Sequence, residues 1–450
     1  MTRLPRRQLL WFALLNLPLS MLMSPTAAML PAFYLEYTAV TAAGLATATL
    51  VARVFDGITD PLIGWLSDRS GRRKPWMLLG VGVILLGLWP LYQPGTEAGM
   101  GHLLGWYLLV TLGWTLVEIP HSAMGAELSS DYHERSRVVL WRQLLGFVGG
   151  LLFMATPMLV LGHHGFTPEA FRILAWVIGL ALPLFLLLLW WGVAEPRTHT
   201  VRRPGVKDLY RVLLQLPLLR YFLLTQVLFG LATGAVASLF VIYANFYLGH
   251  GDAIAKIAMP MTLAMALGLP LWLWVLRRVE KHRAWTLSGI GIISCLLAIS
   301  TLQPGPASLA PMIVLMALFG LFLGLSSLVL PSLLADLVDY DRWRTGEDRA
   351  AILFAFQALV TKLCQGVGGA IALAIPAALG FSGKAAVSGK AVWGLKLGFV
   401  AWPCLLLLPM MALAWRYPLG RHRQGILARR LARRDDNDTL KPTTAPASAP

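Results

Sequence analysis

Charged side chains are scarce in this 450-residue sequence: Asp, Glu, Lys and Arg make up 13% of it, against 57% hydrophobic residues. Soluble domains carry about 25% charged residues, which keep their surfaces hydrated. A surface with so little charge must face something other than water, which excludes a soluble enzyme and a disordered chain. Cysteine is scarce too. Three cysteines, all in apolar stretches, exclude a secreted disulfide scaffold.

The sequence also lacks the motifs that carry enzymatic chemistry. It contains no Walker phosphate loop, dinucleotide fingerprint, nucleophile elbow or His/Cys metal cluster. We therefore expect neither an enzyme nor a bound cofactor. Without an ATP-binding domain, uphill movement of a solute would have to use an ion gradient.

Long apolar stretches are abundant instead. A hydrocarbon core of about 30 Å is crossed by roughly 20 apolar residues of helix. Stretches of this kind lie at 9–35, 43–67, 76–93, 102–128, 138–161, 169–193, 218–247, 255–276, 284–302, 309–335, 350–379 and 391–415. They are too uniformly apolar for the alternating strands of a barrel. We predict an all-α membrane protein with twelve transmembrane helices.

The basic residues indicate the orientation of these helices. The net charge is +16, and Lys and Arg concentrate in the N-terminal stretch, the even-numbered loops and the C-terminal tail. The odd-numbered loops have none except Lys384 and Lys390 in the last one. Because cytoplasmic loops are enriched in basic residues, both termini are predicted to be cytoplasmic. Topology thus explains the charge, and we expect no nucleic-acid partner. The first segment resembles a signal peptide but is long for one, so we expect it to be retained.

A polar stretch divides the predicted helices into six and six. The strings IPHSAMGAELSSDY (119–132) and LPSLLADLVDY (330–340) echo one another at equivalent positions, which favours a duplicated transporter. We predict four regions: an N-terminal six-helix bundle at 1–194, a cytoplasmic linker at 195–216, a C-terminal six-helix bundle at 217–416, and a disordered cytoplasmic tail at 417–450.

Asp56 and Asp60 lie inside the second apolar stretch. An ionisable group within the bilayer is costly unless it is paired or hydrated, so it indicates a function. A spacing of four residues puts both carboxylates on one helical face, where a cation such as Na⁺ or H⁺ would relieve their repulsion. The alternative is a pair of helix-end carboxylates satisfied by Arg53 or by a neighbouring helix.

The fourth stretch carries a third carboxylate. Glu118 lies mid-way along it, with Thr115 one turn earlier and Pro120 just after. Proline interrupts the hydrogen-bond ladder and frees a carbonyl group. Asp56, Asp60, Thr115 and Glu118 are therefore predicted to supply an oxygen shell for the cation, with the three acids as the metal ligands if the ion is Na⁺. The alternative is a Glu118 paired with Arg142 or Lys362.

Two basic residues accompany these acids. Lys362, inside the eleventh stretch, needs acidic partners and is predicted to compete with the cation or to contact the solute. Arg142, near the start of the fifth stretch, either contacts the solute or extends to the cytoplasmic side. His121 is a weaker candidate, because a single buried histidine is more often a hydrogen-bonded fixture than a proton carrier.

Further charges lie at the cytoplasmic ends of helices. Asp68, Arg69 and Arg72 connect the second and third stretches, and Asp336 and Asp339 end the tenth. Opposite charges there are predicted to stabilise one conformation and to separate in another. Setting topology and complementing helix dipoles is the simpler role for them, and both roles are compatible.

Three motifs resemble those of the glycoside–pentoside–hexuronide:cation symporters, the melibiose-permease-like family of the major facilitator superfamily. The first is DGITDPLIGWLSDR (56–69) followed by GRRKPW (71–76). The others are AELSSDYHER (126–135) and DYDRWRTG (339–346) with the later Lys362. The resemblance covers most of residues 9–416 and implies the major facilitator fold.

The resemblance also implies roles and one departure. Asp56, Asp60, Thr115 and Glu118 match the family's cation-binding positions, and Arg142 and Lys362 match functional positions. The sugar-binding acid of the first helix is missing, and Asn16 and Ser20 are the polar residues there. His121 and Ser122 stand where the family has a stacking tryptophan. We therefore expect a solute other than a galactoside, bound by Asn16, Ser20, His121, Ser122, Arg142 and Lys362.

We predict a secondary active transporter that couples symport of a glycoside-like solute to Na⁺ or H⁺. It would work by alternating access, as a monomer in a bacterial inner membrane. The alternative is a lipid or lysolipid transporter of the same fold, favoured by the acid-free first helix. A membrane enzyme for lipid-linked substrates would need a catalytic acid or metal cluster. An uncoupled channel or scaffold would show no saturable, gradient-driven flux.

Overall fold

The computed structural model describes residues 5–128, 132–162, 166–195, 216–345, 350–383 and 389–420, and six residues between 423 and 430. Within these ranges a few side chains, including that of Asp68, are not described. The predicted linker, apart from Glu195 and Leu216, and the predicted tail beyond Arg430 lie outside the described residues. The predicted division into regions therefore stays a prediction.

The described residues form helices joined by short turns, with no strand among them. The helices are α1 Arg6–Leu14, α2 Asn16–Tyr37, α3 Ala42–Ser70, α4 Lys74–Tyr92, α5 Met100–Glu127, α6 Tyr132–Thr156, α7 Pro168–Gly192, α8 Pro217–Ile242, α9 Ile254–Leu267, α10 Leu269–Arg278, α11 Lys281–Ser300, α12 Leu309–Thr345, α13 Ala350–Ala378, α14 Lys390–Lys396 and α15 Trp402–Trp415. Short π-helical turns extend α6 and α8 and join α14 to α15. The prediction of an all-α chain is confirmed.

Most of these helices have the dimensions of membrane spans. Within the described part of the chain, nine are long and apolar enough to cross a bilayer, and the α9–α10 pair, bent by 42°, makes a tenth. The first two predicted segments are the exceptions. One is divided at Leu15, and α3 carries the charged residues of the candidate site. The count of twelve crossings stays a prediction.

Small residues allow the helices to approach closely. A Cβ atom at Gly80 would lie 2.7 Å from the carbonyl oxygen of Gly113, so α4 and α5 are in backbone contact there. In the second half of the chain, a Cβ at Gly234 of α8 would collide with the backbone of Gln365 in α13. These contacts hold α5 and α13 in place, and both helices contribute to the candidate site.

The break in the first segment has a local cause. Pro18 has no N–H group, so the carbonyl of Leu14 loses its partner one turn later and the helix ends there. The neighbouring carbonyl oxygen of Phe12 accepts a hydrogen bond from Nε2 of His121, at 2.9 Å. A side chain of α5 thus supports the interrupted helix.

Candidate cation and solute site

An ionic cluster joins α3 to α13 in the interior of the bundle. Lys362 Nζ lies 2.5 Å from Asp60 Oδ2 and 3.6 Å from Asp56 Oδ2. Arg53 Nη1 donates to Asp56 Oδ2 at 3.2 Å. The two carboxylates share one face of α3, as their spacing predicts. Lys362 comes from the second half of the chain, so the cluster connects the two halves.

Burial makes this cluster energetically sensitive. Asp56 is 1% exposed, whereas the side chains of Asp60 and Lys362 are 20% and 27% exposed. Two carboxylates face two cationic groups, which balances the charge. Removing one member of a buried pair leaves an uncompensated charge, which costs far more than the pair itself contributes. Any ion that binds these carboxylates must therefore change their contact with Lys362.

Thr115 joins the cluster from α5. Its hydroxyl donates to Asp60 Oδ1 at 3.1 Å, and the residue is fully buried. Three of the four predicted cation-binding residues, Asp56, Asp60 and Thr115, are thus adjacent. An array of carboxylate and hydroxyl oxygens is what a hard monovalent or divalent cation prefers.

Glu118, the fourth predicted cation-binding residue, has a different partner. Its carboxylate forms an ion pair with Arg142 of α6, and both side chains are about one-fifth exposed. Pairing with Arg142 is the alternative that the sequence left open. In the described part of the chain, no three His, Cys, Asp or Glu side chains are arranged to hold a metal ion. The metal set of Asp56, Asp60 and Glu118 stays a prediction.

The predicted solute-binding residues of the first segment pack against α6. Asn16 Nδ2 donates to the carbonyl oxygen of Arg142 at 2.9 Å. Both Asn16 and Ser20 contact the backbone at Gly146, where a Cβ would lie 2.8 Å from Ser20 Oγ. Asn16, Ser20 and Arg142 are thus brought together between α2 and α6.

His121 and Ser122, the two predicted solute-binding residues after Pro120, make contacts with other groups of the protein. His121 is fully buried, with its ring centre 4.3 Å from that of Phe12. Ser122 Oγ donates to the carbonyl oxygen of Ile119 at 2.9 Å. His121 therefore has the hydrogen-bonded, structural environment that the sequence favoured for it. A solute-binding role for either residue stays a prediction.

A cavity of about 390 Å³ lies beside the ionic cluster. Among the predicted solute-binding residues, Lys362 lines it. The other polar and aromatic lining residues were not predicted; they are Thr49, Arg53, Tyr107, Trp114, Thr233, Ser238 and Gln365. Lys362 Nζ also lies 5.2 Å from the ring centre of Trp114, within range of a cation–π interaction. A signal for some of these lining residues was available in the sequence, because polar residues lie one helical turn from Lys362 or Thr115. Whether their side chains point into the cavity depends on how α8 and α13 pack, which local spacing does not show.

The predicted gating residues have partners near the helix ends. Lys281 Nζ lies 2.7 Å from Asp336 Oδ2, and Gln424 Nε2 donates to Asp339 Oδ2 at 3.0 Å. Arg69 stacks over Trp65 at 5.4 Å, and the carbonyl of Arg72 accepts from Ser70 Oγ at 3.0 Å. The side chain of Asp68 is outside the described residues. The gating role of this set stays a prediction.

One contact near these residues was not predicted. The carboxylate of Glu195 accepts hydrogen bonds from the backbone N–H groups of Arg73 and Lys74, the latter at 3.0 Å. These groups begin α4, where N–H groups lack helical partners and an anion is favoured. Glu195 thereby ties the end of α7 to the turn that carries Arg72.

Sequence comparison identifies the family. The family model described as "MFS/sugar transport protein" matches residues 11–421. The chain belongs to this family.

It is 25% identical to the putative glycoside/cation symporter YagG of Escherichia coli, covering 96% of each chain. The isoprimeverose transporter of Lactiplantibacillus pentosus is 23% identical, over 82% of this chain and 79% of that one. A sodium-dependent lysophosphatidylcholine symporter 1 of Gallus gallus is also 23% identical, over 70% and 68%.

Solved structures show the same fold. The nucleoside transporter NupG superposes with a TM-score of 0.69 at 13% identity, over 91% of this chain and 99% of that one. A bacterial homologue of the lysosomal transporter Spinster, in an inward-facing unoccupied conformation, superposes with a TM-score of 0.67 at 15% identity, over 91% and 95%. The major facilitator fold and the resemblance to the glycoside–pentoside–hexuronide:cation symporters are confirmed. This member of the MFS/sugar transport family is a multi-pass membrane transporter.

Proposed function

We propose that this protein is a symporter that couples a monovalent cation to a glycoside-like solute across a bacterial inner membrane. The observation that carries the proposal is the cluster of Asp56, Asp60, Thr115 and Lys362, which joins the two halves and borders a cavity of about 390 Å³. Alternating access requires a contact between halves that changes with the bound ligands. This ionic cluster is a contact between the halves, and we propose that bound ligands change it.

The proposed coupling step is an exchange of cations at Asp60. In the structure the Lys362 ammonium neutralises Asp60 and approaches Asp56. An ion that binds both carboxylates would displace that ammonium toward the cavity, where Trp114 and Gln365 also lie. There it would donate hydrogen bonds to oxygen atoms of the solute. Each ligand then favours the other, and the coupling is reciprocal by thermodynamic necessity.

A second contact between the two halves lies at one end of the bundle. Asn245 Nδ2 donates to Glu36 Oε2 at 2.6 Å, and a Cβ at Gly383 would lie 3.0 Å from Leu35. With both termini in the cytoplasm, as the basic loops indicate, this end is extracytoplasmic. The contact therefore joins the halves on the outer side, and an outward-open state would separate Glu36 from Asn245.

The test is gradient-driven accumulation in proteoliposomes, after a thermal-shift screen of glycosides, pentosides, uronides and lysophosphatidylcholine with Na⁺, Li⁺ or choline has identified a ligand. Asp56→Asn and Asp60→Asn are expected to lower accumulation at least about tenfold, since each removes a carboxylate that recognises the ion. Glu169→Gln is the matched control, because Glu169 is 62% exposed at the start of α7. Accumulation that survives in both site variants, with normal expression, would contradict the assignment.

A lysolipid is the second candidate solute. Besides Lys362 and Arg53, the cavity is lined by apolar residues, among them Met23, Leu30, Pro31, Leu45 and Leu103. An amphiphile with one charged group fits such a lining. Stabilisation of the protein by lysophosphatidylcholine and not by any sugar would favour this candidate.

A further inference from the structure

Two buried oxygen atoms on neighbouring helices have no hydrogen-bond partner within the described part of the chain. They are Asp56 Oδ1 of α3 and Thr111 Oγ1 of α5. Each residue is 1% exposed. A buried polar atom without a partner is destabilising by about 1–3 kcal/mol, so each of these two oxygens requires an explanation, and an ion or a water molecule that binds it is one.

The hydroxyl of Thr111 is unusual among the helical threonines of this protein. Threonine in a helix commonly donates to the carbonyl one turn earlier. Among the described residues, nine others do so: Thr47, Thr49, Thr59, Thr156, Thr233, Thr262, Thr286, Thr345 and Thr361. Thr111 does not form this bond to the carbonyl one turn earlier, so its oxygen is available to another group.

The packing of α3 and α5 places Thr111 at the level of Asp56. The two helices run parallel, since Gly44 of α3 faces Met100 of α5 and Asp60 bonds to Thr115. The residue offset is 56 at the first contact and 55 at the second, so the register is nearly constant. Asp56 and Thr111 each lie four residues before the Asp60–Thr115 bond. They therefore form the next level of the same interface, about 6 Å away.

We propose that Thr111 is a ligand of the coupling cation, together with Asp56, Asp60 and Thr115, and that this cation is a small metal ion such as Na⁺ or Li⁺. The inference rests on the proposed symport function and names a further ligand and the ion class. Two carboxylates and two hydroxyls at successive levels give an all-oxygen set of the kind that hard cations require.

The chemistry distinguishes a metal ion from a proton. A proton binds to one carboxylate oxygen and can use at most one hydrogen-bond acceptor beside it, so it leaves most of these oxygens without a partner. A metal ion is held by several oxygens at once, and the Thr111 hydroxyl oxygen has lone pairs that it can offer to such an ion. The set also needs no contribution from Glu118, whose carboxylate is paired with Arg142.

The test is a titration of the purified full-length protein in detergent with NaCl or LiCl, with choline chloride keeping the ionic strength constant. Thr111→Val removes the hydroxyl and keeps the branched shape, whereas Thr111→Ser keeps the hydroxyl. Thr156→Val is the matched control, because Thr156 is also a buried helical threonine but bonds to the Leu152 carbonyl. The readout is the ion concentration that gives half of the maximal thermal stabilisation.

We expect Thr111→Val to raise the half-saturating Na⁺ concentration about tenfold, which is the loss of one good ligand. Thr111→Ser is expected to stay within about twofold of the wild type, and Thr156→Val to match it. Without the ion, Thr111→Val should unfold at the same temperature or higher, because an unsatisfied hydroxyl has been replaced by a methyl group. A merely structural threonine would show the opposite pattern.

Three outcomes would overturn the inference in distinguishable ways. If Na⁺ and Li⁺ stabilise the wild type and Asp60→Asn abolishes this effect, an unchanged Thr111→Val removes Thr111 from the ligand set and leaves symport standing. A wild type that responds to pH and not to Na⁺ or Li⁺ also removes the proposed metal site while symport stands. If no cation or pH change affects solute binding at all, the proposed function fails together with the inference.

Discussion

The polar interior of the first half differs from that of the second half in its charge. Between α3, α5 and α6 the interior contains five charged side chains in ion pairs: Arg53, Asp56, Asp60, Glu118 and Arg142. Between α8 and α13 the polar groups are mostly neutral, since Gln226 Nε2 donates to Thr361 Oγ1 at 2.6 Å and Gln357 Nε2 does so at 3.1 Å. Lys362, next to Thr361, is the charge that the second half contributes to the cluster.

This difference assigns distinct tasks to the two halves. The first half supplies the carboxylates that can recognise a small cation, and the second half supplies one ammonium group that competes with it. Neutral amides and hydroxyls hold α8 against α13 without responding to the ion. Coupling therefore depends on the ionic contact of Lys362 with Asp60 and Asp56, which crosses between the halves. Changes elsewhere should affect stability or solute affinity more than ion affinity.

The largest expected effect comes from breaking that contact. Asp60→Asn leaves Lys362 with Asp56, whose Oδ2 is 3.6 Å away, as its remaining carboxylate in the cluster. We expect a loss of about 1–3 kcal/mol in the free energy of unfolding, below the value for a fully buried pair because both side chains are partly exposed. Asp60→Asn with Lys362→Met should recover stability but not the response to Na⁺. A double variant no more stable than the single one would show that the two groups are not energetically coupled.

A smaller and different effect is expected at the Glu118–Arg142 pair. Glu118→Gln should weaken solute binding about tenfold, because Arg142 loses its partner and Asn16 is bonded to the Arg142 backbone. The half-saturating Na⁺ concentration should change less than about threefold. Ligand titration with and without Na⁺ separates these effects. A shift in Na⁺ affinity as large as that of Asp60→Asn would place Glu118 in the ion site, as the sequence predicted.

The smallest effect is expected in the neutral network. Gln226→Leu removes the donor to Thr361 and also the buried Gln226 Oε1, which has no hydrogen-bond partner among the residues that the structure describes. A net change of about 1 kcal/mol or less in the free energy of unfolding should follow, since one bond is lost together with one unsatisfied acceptor. Thermal unfolding measures this, and the Na⁺ titration should match the wild type. An altered Na⁺ affinity would mean that the second half also takes part in ion recognition.

Sequence patterns predicted the elements of the site that depend on a single helix. Asp56 and Asp60 share a face of α3 because they are four residues apart. Lys362 requires acidic partners because it lies inside an apolar stretch. Thr111, Trp114 and the capping carboxylate of Glu195 were not predicted. Their roles depend on the register between α3 and α5, on the proximity of α13, and on a contact between residues more than a hundred positions apart. None of these distances is encoded in local spacing.

In the proposed mechanism, Lys362 and the coupling ion compete for the same carboxylates. The most direct measurement is the half-saturating Na⁺ concentration of Lys362→Met compared with that of the wild type, in the absence of solute. Removing the competitor should lower this concentration about tenfold, even though solute-driven transport is lost. A Lys362→Met protein that folds normally and needs the same or more Na⁺ than the wild type would contradict the proposed competition.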